Sequence, residues 1–146
     1  MARLIDSSLW VDFTRSKSPR ALKTLIQPWI LDSLACLCEP IAFEILRHTT
    51  QRERERIEAQ FATLPLLTTP SHLWRDAARL GQQCRNQGIN AGSLDLIIAS
   101  LAIHHNAELI TFDADYQAIA HASKLRVHLL SREIDSLDDK APDRRD

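Results

Sequence analysis

The feature that most constrains this chain is its rhythm: short apolar runs alternate with longer stretches of helical period. Strands without inward-outward alternation are buried on both faces, and stretches of ten or more residues between them are long enough for crossover helices. Such a pattern calls for an α/β fold with a central parallel sheet of four or five strands flanked by helices. Strands are expected at Arg3 to Asp6, Leu34 to Cys38, Leu109 to Phe112 and Arg126 to Leu130. Leu64 to Thr68 is a fifth, which Pro65 restricts to a sheet edge or a strand start.

Helices are expected between them. Pro19 and Pro40 open segments running to Ile30 and about His48, since proline suits the first helical turn. Gln51 to Ala62 carries Arg52-Glu53-Arg54-Glu55-Arg56, which reads as a solvated face. In Ser71 to Gln87, Leu73, Ala77, Leu80 and Cys84 form one stripe, with Gly88 as the stop. Ser93 is placed to cap the next helix, whose Leu94, Ile97, Ile98, Leu101 and Ala102 make a broad apolar face; Tyr116 to Ser123 forms the last. At 146 residues one domain is expected, over residues 1–133, with 134–146 an Asp-rich tail.

Composition removes several functional classes. Three glycines cannot build a G-x-G-x-x-G or G-x-x-x-x-G-K phosphate loop, so nucleotide-driven chemistry is disfavoured. Cys36, Cys38 and Cys84 contain no C-x-x-C pair and read as small buried residues. A net charge of −1 is not the footprint of a protein held on nucleic acid by bulk electrostatics. No apolar run reaches the roughly 20 residues of a membrane span, and an acid at Asp6 interrupts any leader-like stretch, so no membrane partner is expected and the cytoplasm is the expected address.

Open parallel sheets bind ligands beyond the carboxyl ends of their strands, which directs attention to the acids there. Asp6 ends the first strand, and Asp113 ends the Leu109 strand with Asp115 two residues on. Glu44 lies a turn beyond Pro40, and Asp95 sits in the first turn of the helix after Ser93. Four carboxylates brought together raise one another's pKa unless a cation neutralises them. No lysine or arginine flanks Asp95 or Asp113 in sequence. Oxygen donors favour Mg²⁺ or Mn²⁺, which can polarise a phosphodiester and activate water. Each acid also has a structural explanation: Asp6 can cap the segment after its strand, and Asp95 can favour a helix N-terminus.

Four blocks carry a family resemblance: Asp6-Ser7-Ser8-Leu9-Trp10-Val11-Asp12-Phe13, Glu44-Ile45-Leu46-Arg47, Gly88-Ile89 followed by Asp95-Leu96-Ile97-Ile98-Ala99, and Thr111-Phe112-Asp113-Ala114-Asp115-Tyr116. In order and spacing they resemble the PIN-domain family, specifically the VapC toxins of prokaryotic toxin-antitoxin pairs. The resemblance implies a PIN-like fold and an acidic pocket of Asp6, Glu44, Asp95 and Asp113. It makes Asp6, Asp95 and Asp113 metal ligands, Asp115 an auxiliary acid, and Ser7 and Thr111 hydroxyls that hold a carboxylate or a water. It further implies a Mg²⁺- or Mn²⁺-dependent endoribonuclease, with transfer RNA among the candidate substrates, a homodimer and a cognate VapB-type antitoxin. Ser7 stands where threonine is commoner in the family, and His48 where many relatives carry glycine.

Among basic residues, Arg15, Lys17, Arg20 and Lys23 are the most clustered and are candidates for RNA phosphate contact. A second reading keeps the fold without turnover, as a catalytically silent binding module acting through partners. Phosphotransfer domains of the receiver and haloacid-dehalogenase types fit less well, since the early acidic pair and the second aspartate they need are absent around Asp6.

Overall fold

The computed structural model describes residues 1–133, so the tail expected at 134–146 lies outside the described residues. Five parallel strands form one sheet in the order β3-β2-β1-β4-β5: β1 (Arg3–Ile5), β2 (Ala35–Cys38), β3 (Leu66–Leu67), β4 (Glu108–Thr111) and β5 (Arg126–Leu129). Their connections contain helices α1 (Ser7–Thr14), α2 (Arg20–Ile30), α3 (Glu39–Leu46), α4 (Gln51–Phe61), α5 (Leu73–Asn86), α6 (Ser93–His104) and α7 (Asp115–His121). The expected α/β architecture is thus present. The fifth strand is the outermost one on its side, as Pro65 requires.

From β1 the chain winds outward through β2 to β3, then crosses back over α5 and α6 to place β4 on the other side of β1. The strand order therefore reverses between β1 and β4. Helices leaving these two strands diverge, which opens a crevice at their carboxyl ends. In register Leu4 pairs with Leu109 and Ile5 with Ile110, so β1 and β4 end close to one another.

The apolar runs are strands because every side chain in them finds cover. All four residues of β2 are buried, as are Leu4, Ile5, Leu109 and Ile110. Helix α6 runs through the core, burying Ile98 to Ala102, whereas Leu94 and Ile97 of its expected apolar face are only half-buried. The α5 stripe of Leu73, Ala77, Leu80 and Cys84 is buried as its spacing predicts. Of the three tryptophans, Trp10 is fully buried edge-on to Phe61 at 5.1 Å, Trp29 is half-buried against His128, and Trp74 is exposed.

Gly88 ends α5 with φ +75°, while the Ile89 N–H reaches the Cys84 carbonyl at 2.8 Å and the Gly88 N–H reaches Arg85 at 3.0 Å. This paired bonding needs a left-handed residue, which glycine adopts without strain. The start of α6 differs from expectation. Gly92, extended at φ −67° and ψ 150°, is the N-cap, Ser93 is already helical, and no side chain caps the end. A Cβ on Gly92 would come into ordinary contact with Asp95 Oδ2, at 3.4 Å, so the cap residue sits directly beside that carboxylate.

Candidate metal centre

The crevice between β1 and β4 holds the acids. Asp6 follows β1 directly and is the N-cap of α1, so a single residue ends the strand and starts the helix. Its Oδ2 accepts from the Ser8 backbone N–H (3.4 Å), the Ser8 hydroxyl (2.8 Å) and the Thr111 hydroxyl (2.8 Å). Three donors on one oxygen fix the carboxylate's plane, and Oδ1 takes part in none of these three bonds. Thr111, the last residue of β4, is fully buried, and its Oγ1 also accepts the Asp113 backbone N–H at 2.9 Å. One hydroxyl thereby joins the ends of both central strands.

Asp113 lies two residues beyond the end of β4, one further than expected for a strand-ending acid, because pairing with β5 ends at Thr111. Its Oδ1 accepts the Asp115 N–H at 2.9 Å, turning the chain into α7. Asp95 occupies the first turn of α6, where its Oδ1 accepts from the Tyr116 hydroxyl at 3.2 Å. Glu44 projects from α3 and lines the cleft beside Ser7. Asp6, Ser7, Ser8, Glu44, Asp95, Asp113 and Tyr116 line one cleft of about 270 Å³, shared with Val11, Asp12, Arg15 and Arg132.

The carboxylates disturb one another. Burial pushes the Asp6 carboxyl above the ordinary carboxylate range, against the downward pull of its bonds to Ser8 and Thr111. Glu44 is raised by burial and then by the charges of Asp6 and Asp95, partly offset by Ser7 and Arg47. Asp95 is raised by burial; the Tyr116 bond lowers it, while Asp113, Asp6 and Asp115 raise it. Tyr116, buried among these acids, is held strongly protonated and acts as a donor.

One carboxylate oxygen each from Asp95, Asp113 and Asp115 lies within 4.8 Å of the others. Hard oxygen donors at that spacing, in mutual repulsion, suit a divalent cation, and the donor set is of the type Mg²⁺ and Mn²⁺ prefer. The triplet includes Asp115, read in the sequence as auxiliary, while Asp6 and Glu44 line the same cleft outside it.

A model of the PIN domain family matches residues 3–122. The chain belongs to the PIN-domain family. This PIN domain is 33% identical over 134 residues to VapC ribonuclease Mb1587 of Mycobacterium bovis, covering 84% of this chain and 95% of the relative. Ribonuclease VapC11 of Mycobacterium tuberculosis matches with the same identity and coverage. Among solved structures, VapBC2 from Rickettsia felis bound to a promoter DNA fragment superposes with a TM-score of 0.71 at 15% identity, covering 90% of this chain and 100% of that one. DNA-bound VapBC from Salmonella typhimurium gives 0.69 at 14% identity, covering 88% and 97%. At such identities the likeness is one of fold.

Of the basic residues picked out in the sequence, Arg15 lines the cleft of this PIN domain; Lys17, Arg20 and Lys23 are not among its lining residues. Sequence reading missed Ser8, Asp12, Tyr116 and Arg132. Ser8 had a local signal, since the second residue after an N-cap aspartate faces back toward it. Arg132 had none, lying 120 residues from the Asp12 it bonds.

Proposed function

We propose that this PIN domain is a divalent-metal-dependent endoribonuclease, the toxin half of a VapBC-type pair. The convergence of Asp6, Glu44, Asp95 and Asp113 on one cleft at the reversal of strand order carries this reading. The names of its curated relatives point the same way. Asp95, Asp113 and Asp6 are the proposed ligands of a Mg²⁺ or Mn²⁺ ion, with Asp115 beside them and Glu44 orienting the attacking water. A bound cation supplies Lewis-acid activation of the phosphodiester and neutralises the carboxylates.

The chain's own groups do the rest. Ser8 and Thr111 hold Asp6 by one oxygen and Tyr116 holds Asp95, so these donors are set before substrate arrives. Arg15 is placed to meet a phosphate at the cleft, and Lys17 and Arg20, both exposed, extend positive charge away from it with Lys23. A VapB-type antitoxin and a second copy of the chain are the proposed protein partners; the VapBC assemblies among its structural neighbours motivate the first. Among the described residues no helix is long and apolar enough to cross a membrane.

The test is cleavage of total and transfer RNA by antitoxin-free protein in Mg²⁺, Mn²⁺ or EDTA. Discrete fragments are expected with metal, and none in EDTA or with Asp95→Asn. Equal cleavage by both proteins would refute the site assignment.

A further inference from the structure

Within the acidic cleft lies a positive charge that the carboxylate chemistry leaves unused. Arg132, just beyond β5, lines it together with Asp6, Glu44, Asp95 and Asp113. Two contacts clamp its guanidinium. Nε donates to Asp12 Oδ2 at 2.6 Å, and the group stands over the Phe112 ring, 4.5 Å from its centroid.

Both holders are tied to the metal-binding acids. Asp12 lies on α1, the helix that Asp6 caps. Phe112 follows Thr111 and donates its backbone N–H at 3.1 Å to the Ser8 hydroxyl, which in turn donates to Asp6 at 2.8 Å. The guanidinium is therefore positioned relative to the carboxylates and not merely near them. Among the described residues its two Nη groups have no hydrogen-bond partner, and its side chain keeps 47% of its exposure. An arginine held by Nε and one face still offers the Nη edge, and a planar fork of that kind matches the oxygens of a phosphate. Because the side chain is already ordered, little conformational freedom remains to be lost on binding.

An anionic substrate entering a cleft with this many carboxylates needs positive charge on more than one side. We propose that Arg132 is the phosphate-orienting residue of this site, its Nη groups taking a non-bridging oxygen of the scissile phosphodiester, with Asp12 and Phe112 as positioning residues. This rests on the reading of the cleft as phosphodiester-hydrolysing. In that hydrolysis the water oxygen joins phosphorus and the bond to one ribose oxygen breaks. One water proton goes to that oxygen and the other to solvent; Arg132 contributes only hydrogen bonds and breaks no bond.

Two measurements on the full chain test the assignment. The first is Mn²⁺-dependent hydrolysis of bis(4-nitrophenyl) phosphate by wild type, Arg132→Gln, Arg132→Lys, Asp12→Asn and the Asp12→Asn/Arg132→Gln double variant, with Arg54→Gln as a surface control and melting curves for each. Losing a transition-state contact lowers kcat by about a hundredfold with KM changed less than about threefold. Lysine recovers a minor part of this, Asp12→Asn falls between, and the double variant is no slower than Arg132→Gln, since Asp12 acts through the arginine. A folded Arg132→Gln with kcat within about threefold of wild type overturns the assignment. The second is calorimetric titration of inorganic phosphate in Mn²⁺, where Arg132→Gln is expected to bind at least about tenfold more weakly. If wild type hydrolyses nothing, the reading of the reaction fails and the titration alone decides. Equal phosphate affinity in wild type and Arg132→Gln, or no binding to either, then overturns the role of Arg132.

Discussion

Replacing Asp95 with asparagine removes one charge from a crowded triplet while keeping its shape and its acceptor for the Tyr116 hydroxyl. Two unit charges 4.8 Å apart, the outer limit for the oxygens of Asp95, Asp113 and Asp115, repel by ~0.9 kcal/mol in water and by ~3.5 kcal/mol at an effective dielectric constant of 20. Asp95 and Asp113 are half-buried and Asp115 is exposed, so the lower figure applies, reduced further by salt. Relieved of repulsion from both Asp113 and Asp115, in EDTA at pH 7.5 the variant is expected to be more stable by roughly 1 kcal/mol, raising Tm by about 3–5 °C. The sign follows from linkage. The folded-state pKa of Asp95 is raised above 3.8, so the native state binds this proton more tightly than the unfolded chain does. The carboxylate's penalty is thus complete above the folded pKa and relieved below 3.8, and the two melting curves converge as pH falls toward that value. Mn²⁺ reverses the order at neutral pH. At about a hundred times its dissociation constant a ligand stabilises the native state by ~2.7 kcal/mol, and the variant has lost a proposed ligand. Differential scanning calorimetry with EDTA and Mn²⁺ arms measures both effects. A variant melting at or below wild type in EDTA, with equal shifts in Mn²⁺, would show that Asp95 serves the helix start and not a cation.

Thr111→Val preserves shape in a fully buried position but removes a donor to Asp6 and the acceptor for the Asp113 N–H. It is expected to cost about 1–3 kcal/mol, read as a lower urea midpoint at unchanged slope, with Thr111→Ser restoring most of it; a loss below about 0.5 kcal/mol would contradict the bridging role. Burial pushes the thiols of Cys36 and Cys38 up to about 11 and about 12, and Cys84 is buried too. A thiol-specific disulfide reagent at pH 7.5 should leave all three unlabelled over minutes in the native protein and react with three after unfolding; one fast thiol in the native state would refute this.

The parts of the site legible in the sequence are those whose placement is local. Asp6 and Asp113 stand where apolar runs stop, and a parallel sheet puts strand ends on one rim, so their convergence follows from topology. Asp95 is marked by its place in a helix's first turn, although the capping residue proved to be Gly92 and not Ser93. Serine is a common cap because its hydroxyl replaces a lost backbone partner, but here Ser93 already lies inside the helix and the cap falls one residue earlier. Tyr116 and Arg132 were illegible because their partners are distant, Tyr116 meeting Asp95 across 21 residues and Arg132 meeting Asp12 across 120; Ser8 had a local cue in its bond back to Asp6, but its reach to Phe112 across 104 residues had none. Such contacts depend on how helices settle against the sheet, which periodicity does not encode.

Asp6 shows why structural and chemical explanations of an acid need not compete. As N-cap it accepts the Ser8 N–H, and this same Oδ2 takes both hydroxyls, so the bonds that start α1 also orient the carboxylate. Its burial, at 3% exposure, would be costly for an isolated charge; three donors offset part of that cost, and burial still leaves its pKa raised. An acid needed only for capping would do better at the surface, where water completes its solvation. A carboxylate held on one oxygen and kept dry beside other acids instead gains most when a cation arrives. Thr111 ties Asp6 to Asp113 and Tyr116 ties Asp95 to α7, while one oxygen each of Asp95, Asp113 and Asp115 stays within 4.8 Å of the others, where a cation would relieve their repulsion.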